Sequence, residues 1–327
     1  MNDRLGHPIP STARLRRFDG WLEASLFVVA LSVLNVSYGF GHQHGAHPVA
    51  FLVYAMPVAA ISLLLVSGPG PDWRQVITHP LSLAVGSGII AMEAVYYVLL
   101  TLVTPTDGSL LVRLGVPVAV ALGVLLGRGR PTALALAGAA IIVAAVAWFT
   151  PRMQTTAPWT ALALGTGCAV IMTLRSFAAE YHPWNRQARS IIEKMRVTGL
   201  MLLVTSAIGA GLVLAVVAAA ANGLITAPAW LPTVRDLTHP PTIALALFVG
   251  ILVLTAMQYL GFSVVVKIGT ESFIATTALI PVATLVVQEA AVRTGLLAPI
   301  AIDSQVLPPM AAVIVGVALV IAGKRRR

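Results

Sequence analysis

The sequence predicts an all-α integral membrane protein in which ten transmembrane helices form two inverted five-helix repeats. Three observations predict it. Hydrophobic residues make up 58% and charged residues 10% of the 327 positions, too little polar side chain to cover a soluble globule of that size. The apolar residues fall into runs of membrane length, about 20 residues for a hydrocarbon core of roughly 30 Å. One stretch also recurs: Val85–Ala121, VGSGIIAMEAVYYVLLTLVTPTDGSLLVRLGVPVAVA, superimposes without a gap on Val249–Leu285, VGILVLTAMQYLGFSVVVKIGTESFIATTALIPVATL, with Gly86 on Gly250 and Pro117 on Pro281.

Ten runs qualify as spans: Leu22–Phe40, Val49–Ser67, Leu81–Val103, Leu110–Leu126, Thr132–Phe149, Trp159–Ala178, Val197–Ala220, Ile243–Val265, Ser272–Val287 and Val306–Ala322. Backbone in lipid must satisfy its own hydrogen bonds, and these runs are too long and too uniformly apolar for barrel strands, so they are helices. Breakers separate them: Gly68-Pro69-Gly70-Pro71, Thr104-Pro105-Thr106, Gly127–Pro131 and Pro240-Pro241. The organisation is a tail over 1–20, a first repeat over 21–150, a linker over 151–158, a second repeat over 159–323 and a basic terminus over 324–327. Arg14-Leu15-Arg16-Arg17 before an apolar run has the look of a secretory signal, but that run continues to Phe40 and more follow, which makes it an uncleaved first span.

An even number of spans puts both termini on one side. With the termini inside, 17 of the 21 Lys and Arg residues fall on inner segments, and only Arg113, Arg152, Arg235 and Arg293 fall outside. That bias predicts a multi-pass protein of the inner (plasma) membrane with both termini cytoplasmic. It also accounts for the net charge of +9 through topology and argues against nucleic acid as a partner. Cys168 is the single cysteine, so no intrachain disulfide forms. Five spans separate the two copies of the repeat, an odd number, so the copies run in opposite directions. Inverted repeats of this kind build alternating-access transporters around a site near the midplane.

The chain resembles the drug/metabolite transporter superfamily, in its ten-helix branch with two EamA-type five-helix domains. The segments LVRLGVPVAVAL (111–122), ATTALIPVATLV (275–286) and LAGAAIIVAAVAWF (136–149) carry the resemblance, which extends over about 22–322. It implies a permease for small organic metabolites. Members often place a Glu near the ends of the fourth and ninth helices, where this chain has Arg128-Gly129-Arg130 and Val292-Arg293. They often place an Arg early in the second helix, which HPVAFLVYAMPVAA (47–60) lacks.

Charge at membrane depth is costly, roughly 2.5–3.5 kcal/mol or more at a helix centre, so each instance needs a reason. Glu93 lies mid-span with Tyr96 and Tyr97 on its face at i+3 and i+4. It would serve as a proton acceptor or as a contact for a substrate cation; the alternative is a structural carboxylate bonded to a neighbouring helix. Arg113, near the outer end of span four, would either snorkel to the interface or stand above Glu93 in one cavity, binding a zwitterion or closing an outer gate with it. Asn35, Tyr38, Tyr54, Gln258 and Tyr259 complete the candidate substrate wall, and interhelical bonding is an equally common use of such residues. Pro117 and Pro281 each free a carbonyl in mid-helix and are candidate hinges. Arg175 reads as an interfacial anchor, and Gln288 and Glu289 read as headgroup-region residues. The turn His42–His47 holds three histidines without a Cys or carboxylate, a poor metal site. The basic segment Asn185–Arg196 reads as lying on the anionic inner leaflet.

No G-x-x-x-x-G-K-[ST] or H-E-x-x-H occurs, and no Ser or Cys is flanked by a plausible base, so neither ATP nor a metal or other cofactor is implied. The expectation is a secondary transporter, not an enzyme, exporting an amino acid or related zwitterion, with proton coupling through Glu93 as one driving mode. The alternatives are a membrane-embedded lipid-handling enzyme and a non-transporting partner subunit.

Overall fold

The computed structural model describes residues 11–226, 230–298 and 304–325, and the ends of the expected tail and basic terminus, 1–10 and 326–327, lie outside them. Among the described residues every regular element is helical. Ten helices organise the bundle: α1 (Ser11–Gln43), α2 (Pro48–Ser67), α3 (Pro80–Leu100), α4 (Pro105–Leu125), α5 (Ala133–Phe149), α6 (Pro158–Tyr181), α7 (Ile191–Ala221), α8 (Pro240–Ile268), α9 (Thr270–Arg293) and α10 (Leu307–Arg325). Among the described residues, nine helices are long and apolar enough to cross a membrane, α1 to α9; the apolar part of α10, Leu307–Gly323, is shorter. The expected tenth span falls on α10.

Capping moves several boundaries. The Thr104 hydroxyl accepts from the Asp107 amide at 3.2 Å and Pro105 occupies the first helical position, so α4 begins five residues before the expected Leu110, with Thr106, Gly108 and Ser109 already buried. Proline there costs no hydrogen bond, because the first-turn amides have no helical acceptor. Without a side-chain cap of its own, α9 starts at Thr270, directly after Gly269 at φ 79°, and the Thr270 amide donates to Glu180 at 2.9 Å. The segment Asn185–Arg196 is largely exposed between Arg186 and Glu193 and is anchored at both ends. Asn185 is buried and donates to the Ala179 and Phe262 carbonyls, Ile191–Arg196 are the first turns of α7, and Arg196 reaches the carbonyls of Ser67 and Gly68.

Helix pairs are set by where small residues let backbones meet. Extensively packed pairs include α5 with α10, α2 with α7, α1 with α8, α2 with α8, α3 with α6, α1 with α9, and α4 with both α6 and α9. At the α5–α10 crossing, Gly138 and Gly316 face each other so closely that a Cβ on either would strike the other's carbonyl oxygen. Gly86 on α3 abuts the Met201 carbonyl of α7, and Gly250 on α8 abuts the Ala55 carbonyl of α2, each at 2.8 Å from an ideal Cβ. At Gly250 the helix widens into a π turn, Gly250–Leu254, and the Thr255 hydroxyl returns to the Gly250 carbonyl at 2.8 Å.

One end of the bundle gathers the ends of α2, α4, α6 and α8 and the starts of α3, α5, α7 and α9. There Arg128 pairs with Glu180 at 2.8 Å and lies 4.0 Å from Glu271, while Lys267 pairs with Glu23 at 2.7 Å. Burial works against the charge on Arg128, but its hydrogen bonds to Glu180 and Tyr181 prevail and hold its pKa above the ordinary value. Beside this cluster the His182 ring shares a hydrogen bond with Ser82 at 2.9 Å and packs on His79, Trp184 and Phe262. Burial, helped by the neighbouring His79, pushes its pKa down to about 4. At the opposite end the His42–His47 turn is a cap: His47 accepts from the Val49 amide at 3.2 Å, and His44 bonds the Phe40 carbonyl at 2.9 Å. No metal-ligating group of three occurs among the described residues.

The glycine seam predicts that Gly138→Ala lowers the thermal midpoint in detergent by several degrees, since overpacking costs about 1–3 kcal/mol. Gly209→Ala, on α7 with no neighbour within 4 Å, should be neutral or stabilising; equal effects would remove the seam from the account. His182 folds neutral, with its pKa below the unfolded value near 6.5, so its contribution is complete above that pH and is lost as pH falls toward 4. A midpoint measured against pH should fall over that window by an amount on the order of 3 kcal/mol at most, and the fall should shrink in His182→Gln.

Candidate functional site

Glu93 is fully buried at the middle of α3, at 0% exposure. Its Oε2 accepts from the Tyr38 hydroxyl of α1 at 2.8 Å. Tyr38 in turn stacks on Tyr97 at 4.4 Å, and Phe51 of α2 meets both rings edge-on. Tyr97 and Tyr96 leave α3 toward different neighbours. The Tyr97 hydroxyl sits over Gly41 of α1, where a Cβ would lie 2.6 Å from it, whereas Tyr96 faces Arg113 of α4. Gly41 has to be small for α1 and α3 to approach at this depth.

The cation that faces Glu93 is Arg175 of α6, not Arg113. This corrects the interfacial reading of Arg175: it is 8% exposed, held between α3 and α6 where Gly88 lies against its side chain, and the two charges act on each other without closing an ion pair. Gln258 of α8 approaches the same carboxylate, yet its Nε2 closes no hydrogen bond.

Of the ten buried side-chain polar atoms without a hydrogen-bond partner among the described residues, five lie in this layer: Glu93 Oε1, Tyr96 OH, Tyr97 OH, Arg175 Nε and Gln258 Nε2. At about 1–3 kcal/mol for each buried unsatisfied group, the layer carries a cost comparable to the net stability of a whole domain. Folded proteins leave few such groups, and a concentration of them around one carboxylate marks a place built to receive a polar partner.

Arg113 has a different task. It lies eight residues into α4, about 12 Å from the helix start at 1.5 Å per residue, and is 2% exposed. Its Nε donates to the Ser109 carbonyl at 2.9 Å and its Nη1 donates to the Thr277 carbonyl of α9. The Thr277 carbonyl is the one whose helical donor would be residue 281, a proline without an N–H. Both helices are broken at this depth by a 3₁₀ turn, Val112–Leu114 in α4 and Thr277–Leu279 in α9, and each turn is followed closely by the proline, Pro117 or Pro281. The guanidinium of one broken helix therefore gives a second donor to a carbonyl that the other helix serves only through the 3₁₀ bond from the Ile280 amide. An Arg113–Glu93 ion pair is not formed.

The other expected contacts lie outside the layer or are committed elsewhere. The Tyr54 hydroxyl donates to the Leu237 carbonyl at 2.7 Å, Asn35 donates to the Thr284 hydroxyl at 3.1 Å, and Tyr259 donates to Glu23 at 3.2 Å beside the Lys267 ion pair. Gln288 is buried at 2% exposure and accepts from the Thr106 hydroxyl at 3.0 Å, tying α4 to α9 rather than meeting the headgroup region. Glu289 is paired with Arg293 on the surface at 2.8 Å.

A double-mutant cycle tests the Arg113 assignment. Arg113→Met should cost about 1 kcal/mol by removing the cross-helix hydrogen bond to the Thr277 carbonyl, which keeps only the 3₁₀ bond from the Ile280 amide. In a Pro281→Ala background, where residue 281 regains an amide, the same change should cost less, with a coupling of up to about 1 kcal/mol. Additive effects on the thermal midpoint would rule the assignment out.

No family model and no curated protein sequence matches the chain. Solved structures do match, among them a crystal structure of TM-score 0.58 and 17% identity, covering 98% of this chain and 100% of the other. At that identity the likeness concerns the fold alone, and it extends over the whole bundle.

Proposed function

We propose that the protein is a secondary transporter that moves a small organic zwitterion, such as an amino acid, by alternating access between two inverted five-helix repeats, in the manner of the EamA-type permeases it resembles. The observation that carries this reading is the partner-seeking layer around Glu93. A carboxylate and a guanidinium face each other unpaired, with an amide and two phenols beside them. That set matches an ammonium at one pole, a carboxylate at the other and a body between. The substrate poles are therefore Glu93 and Arg175, with Tyr38, Tyr96, Tyr97 and Gln258 around them. Glu93 is also the group through which protons would couple to movement.

The packing supports the inverted repeat. Shifting every helix by five maps α2–α7, α5–α10 and α4–α9 onto themselves and exchanges α3–α6 with α8–α1. The same shift exchanges Gly86 against α7 with Gly250 against α2. Arg113 and Thr277, 164 residues apart, are equivalent positions of the two sequence copies and touch each other, as residues on a twofold axis do. The charge distribution supports termini on the cytoplasmic side of the plasma membrane, which makes the Arg128–Glu180 and Lys267–Glu23 cluster the inner gate, closed in this conformation.

Purified protein in vesicles should exchange a zwitterionic substrate without ATP. Glu93→Gln and Arg175→Met should each cut flux at least tenfold while shifting the thermal midpoint by only a few degrees, since both remove a charge from a layer that already lacks partners. Flux that survives both changes would sink the assignment of the site; absence of substrate-dependent flux from the wild type would sink transport itself.

A further inference from the structure

Of the ten unpartnered buried polar atoms among the described residues, four follow α8 from the Glu93 layer toward the basic end of the bundle: Glu93 Oε1 on α3, Gln258 Nε2 and Ser263 Oγ on α8, and Glu23 Oε2 on α1. Gln258 and Ser263 are 2% and 0% exposed, out of reach of solvent and headgroups. Tyr259, Ser263 and Lys267 share one face of α8 at i, i+4 and i+8, spaced over about 12 Å at 1.5 Å per residue. The Tyr259 hydroxyl donates to Glu23 Oε1 at 3.2 Å and Lys267 Nζ donates to the same oxygen at 2.7 Å. Ser263 comes up to the Tyr259 hydroxyl from its own helix without closing a hydrogen bond. We infer that this face of α8 is a proton route, joining Glu93 to the inner end through Gln258, Tyr259 and Ser263 with Glu23 as its inner port. The route rests on the proposed role of Glu93 as the proton carrier.

The groups along this face suit a proton and not a larger traveller. A hydroxyl donates and accepts, so Tyr259 and Ser263 can each take a proton on one side and release one on the other. A free metal cation would meet the Lys267 ammonium beside Glu23 with like charge. Gln258 and Ser263 stand about 7.5 Å apart along the axis, a step bridged by buried water, which bonds polar groups of this kind. The transfer balances: protonated Glu93 gives its proton to the chain, each water or hydroxyl releases one as it accepts one, and Glu23 Oε2 takes the last. A carboxylate is left at 93 and a carboxylic acid at 23, and Glu23, 13% exposed, releases the proton to the inner solvent. While it is protonated, Glu23 lacks the charge that holds Lys267, so the proton leaves through the pair that closes the inner end. Toward the opposite end the Tyr38, Tyr97 and Phe51 rings pack over Glu93, and the route leads to one side, as alternating access requires of a coupled proton.

The test follows Glu93 itself, through the carbonyl band of its carboxylic acid in infrared spectra of the full-length protein in detergent, a band that Glu93→Gln removes. The rate of proton uptake after a jump in pH is read from that band. Ser263→Val and Ser263→Thr give side chains of the same shape that differ in the hydroxyl, so a packing effect moves both alike. A positioned proton-transfer group speeds its step by about a hundredfold or more, so Ser263→Val should slow uptake by at least about tenfold while Ser263→Thr keeps the wild-type rate. Glu23→Gln, which keeps the shape of the inner port and removes its carboxylate, should slow uptake to the same extent. Ser263→Val as fast as Ser263→Thr, or Glu23→Gln as fast as the wild type, overturns the route alone, since the titrating band leaves Glu93 in its role. A wild type whose Glu93 band does not titrate overturns the route together with the proton role of Glu93. Neither readout depends on substrate flux.

Discussion

The bundle depends on one hydrogen bond that neither of its helices makes alone. Proline at 117 and 281 removes a backbone donor from the middle of α4 and α9, and in an apolar surrounding the Thr277 carbonyl is left with the 3₁₀ bond from the Ile280 amide alone. The chain answers with Arg113, whose guanidinium reaches across to the Thr277 carbonyl while its Nε holds its own helix at Ser109. Two breaks at one depth are thereby fastened together, and the 3₁₀ turns beside them become a shared joint. The Thr106–Gln288 hydrogen bond fastens the same pair of helices a turn or two away. Once α4 and α9 are locked at their centre, α6 and the α5–α10 pair pack against them.

Scaffold and site differ in where their unsatisfied polar atoms fall. Seams such as Gly138–Gly316 bring backbones together, and Glu23 Oε2, Asn35 Oδ1, His182 Nδ1, Asn185 Oδ1 and Ser263 Oγ lack partners elsewhere in the bundle. The Glu93 layer gathers as many around one buried carboxylate.

Much of the fold was legible because lipid-length runs and turn residues are local signals. The helices, their order and the repeated stretch all follow from residues close together in the chain. The start of α4 departs from its sequence pattern for a local reason: Thr104-Pro105 reads as a break between spans and acts as a cap with proline at the first helical position, so helix begins where the pattern reads loop. Arg175 and Gln288 depart from theirs for a tertiary reason. Each lies near the end of its apolar run, and depth read from distance to a helix end says nothing of which neighbour covers that face. Gly88, which makes room for Arg175, and Thr106, which bonds Gln288, lie 87 and 182 residues away in the chain, beyond any periodic pattern.

The two copies of the repeat show why divergence alone does not locate a site. They agree at Gly86 and Gly250 and at Pro117 and Pro281, and those positions set helix approach and helix breaks. They differ at Arg113 and Thr277 and at Glu93 and Met257. The first difference closes on itself, because the arginine of one copy bonds the Thr277 carbonyl of the other, and a twofold joint needs only one such donor. The second difference does not close. Met257 is buried and offers no hydrogen-bond donor to the carboxylate, Gln258 one position on stops short of bonding, and Arg175 comes from outside the repeated stretch. A difference satisfied within the protein is architecture; the one left open, at Glu93, is where an external partner has something to supply.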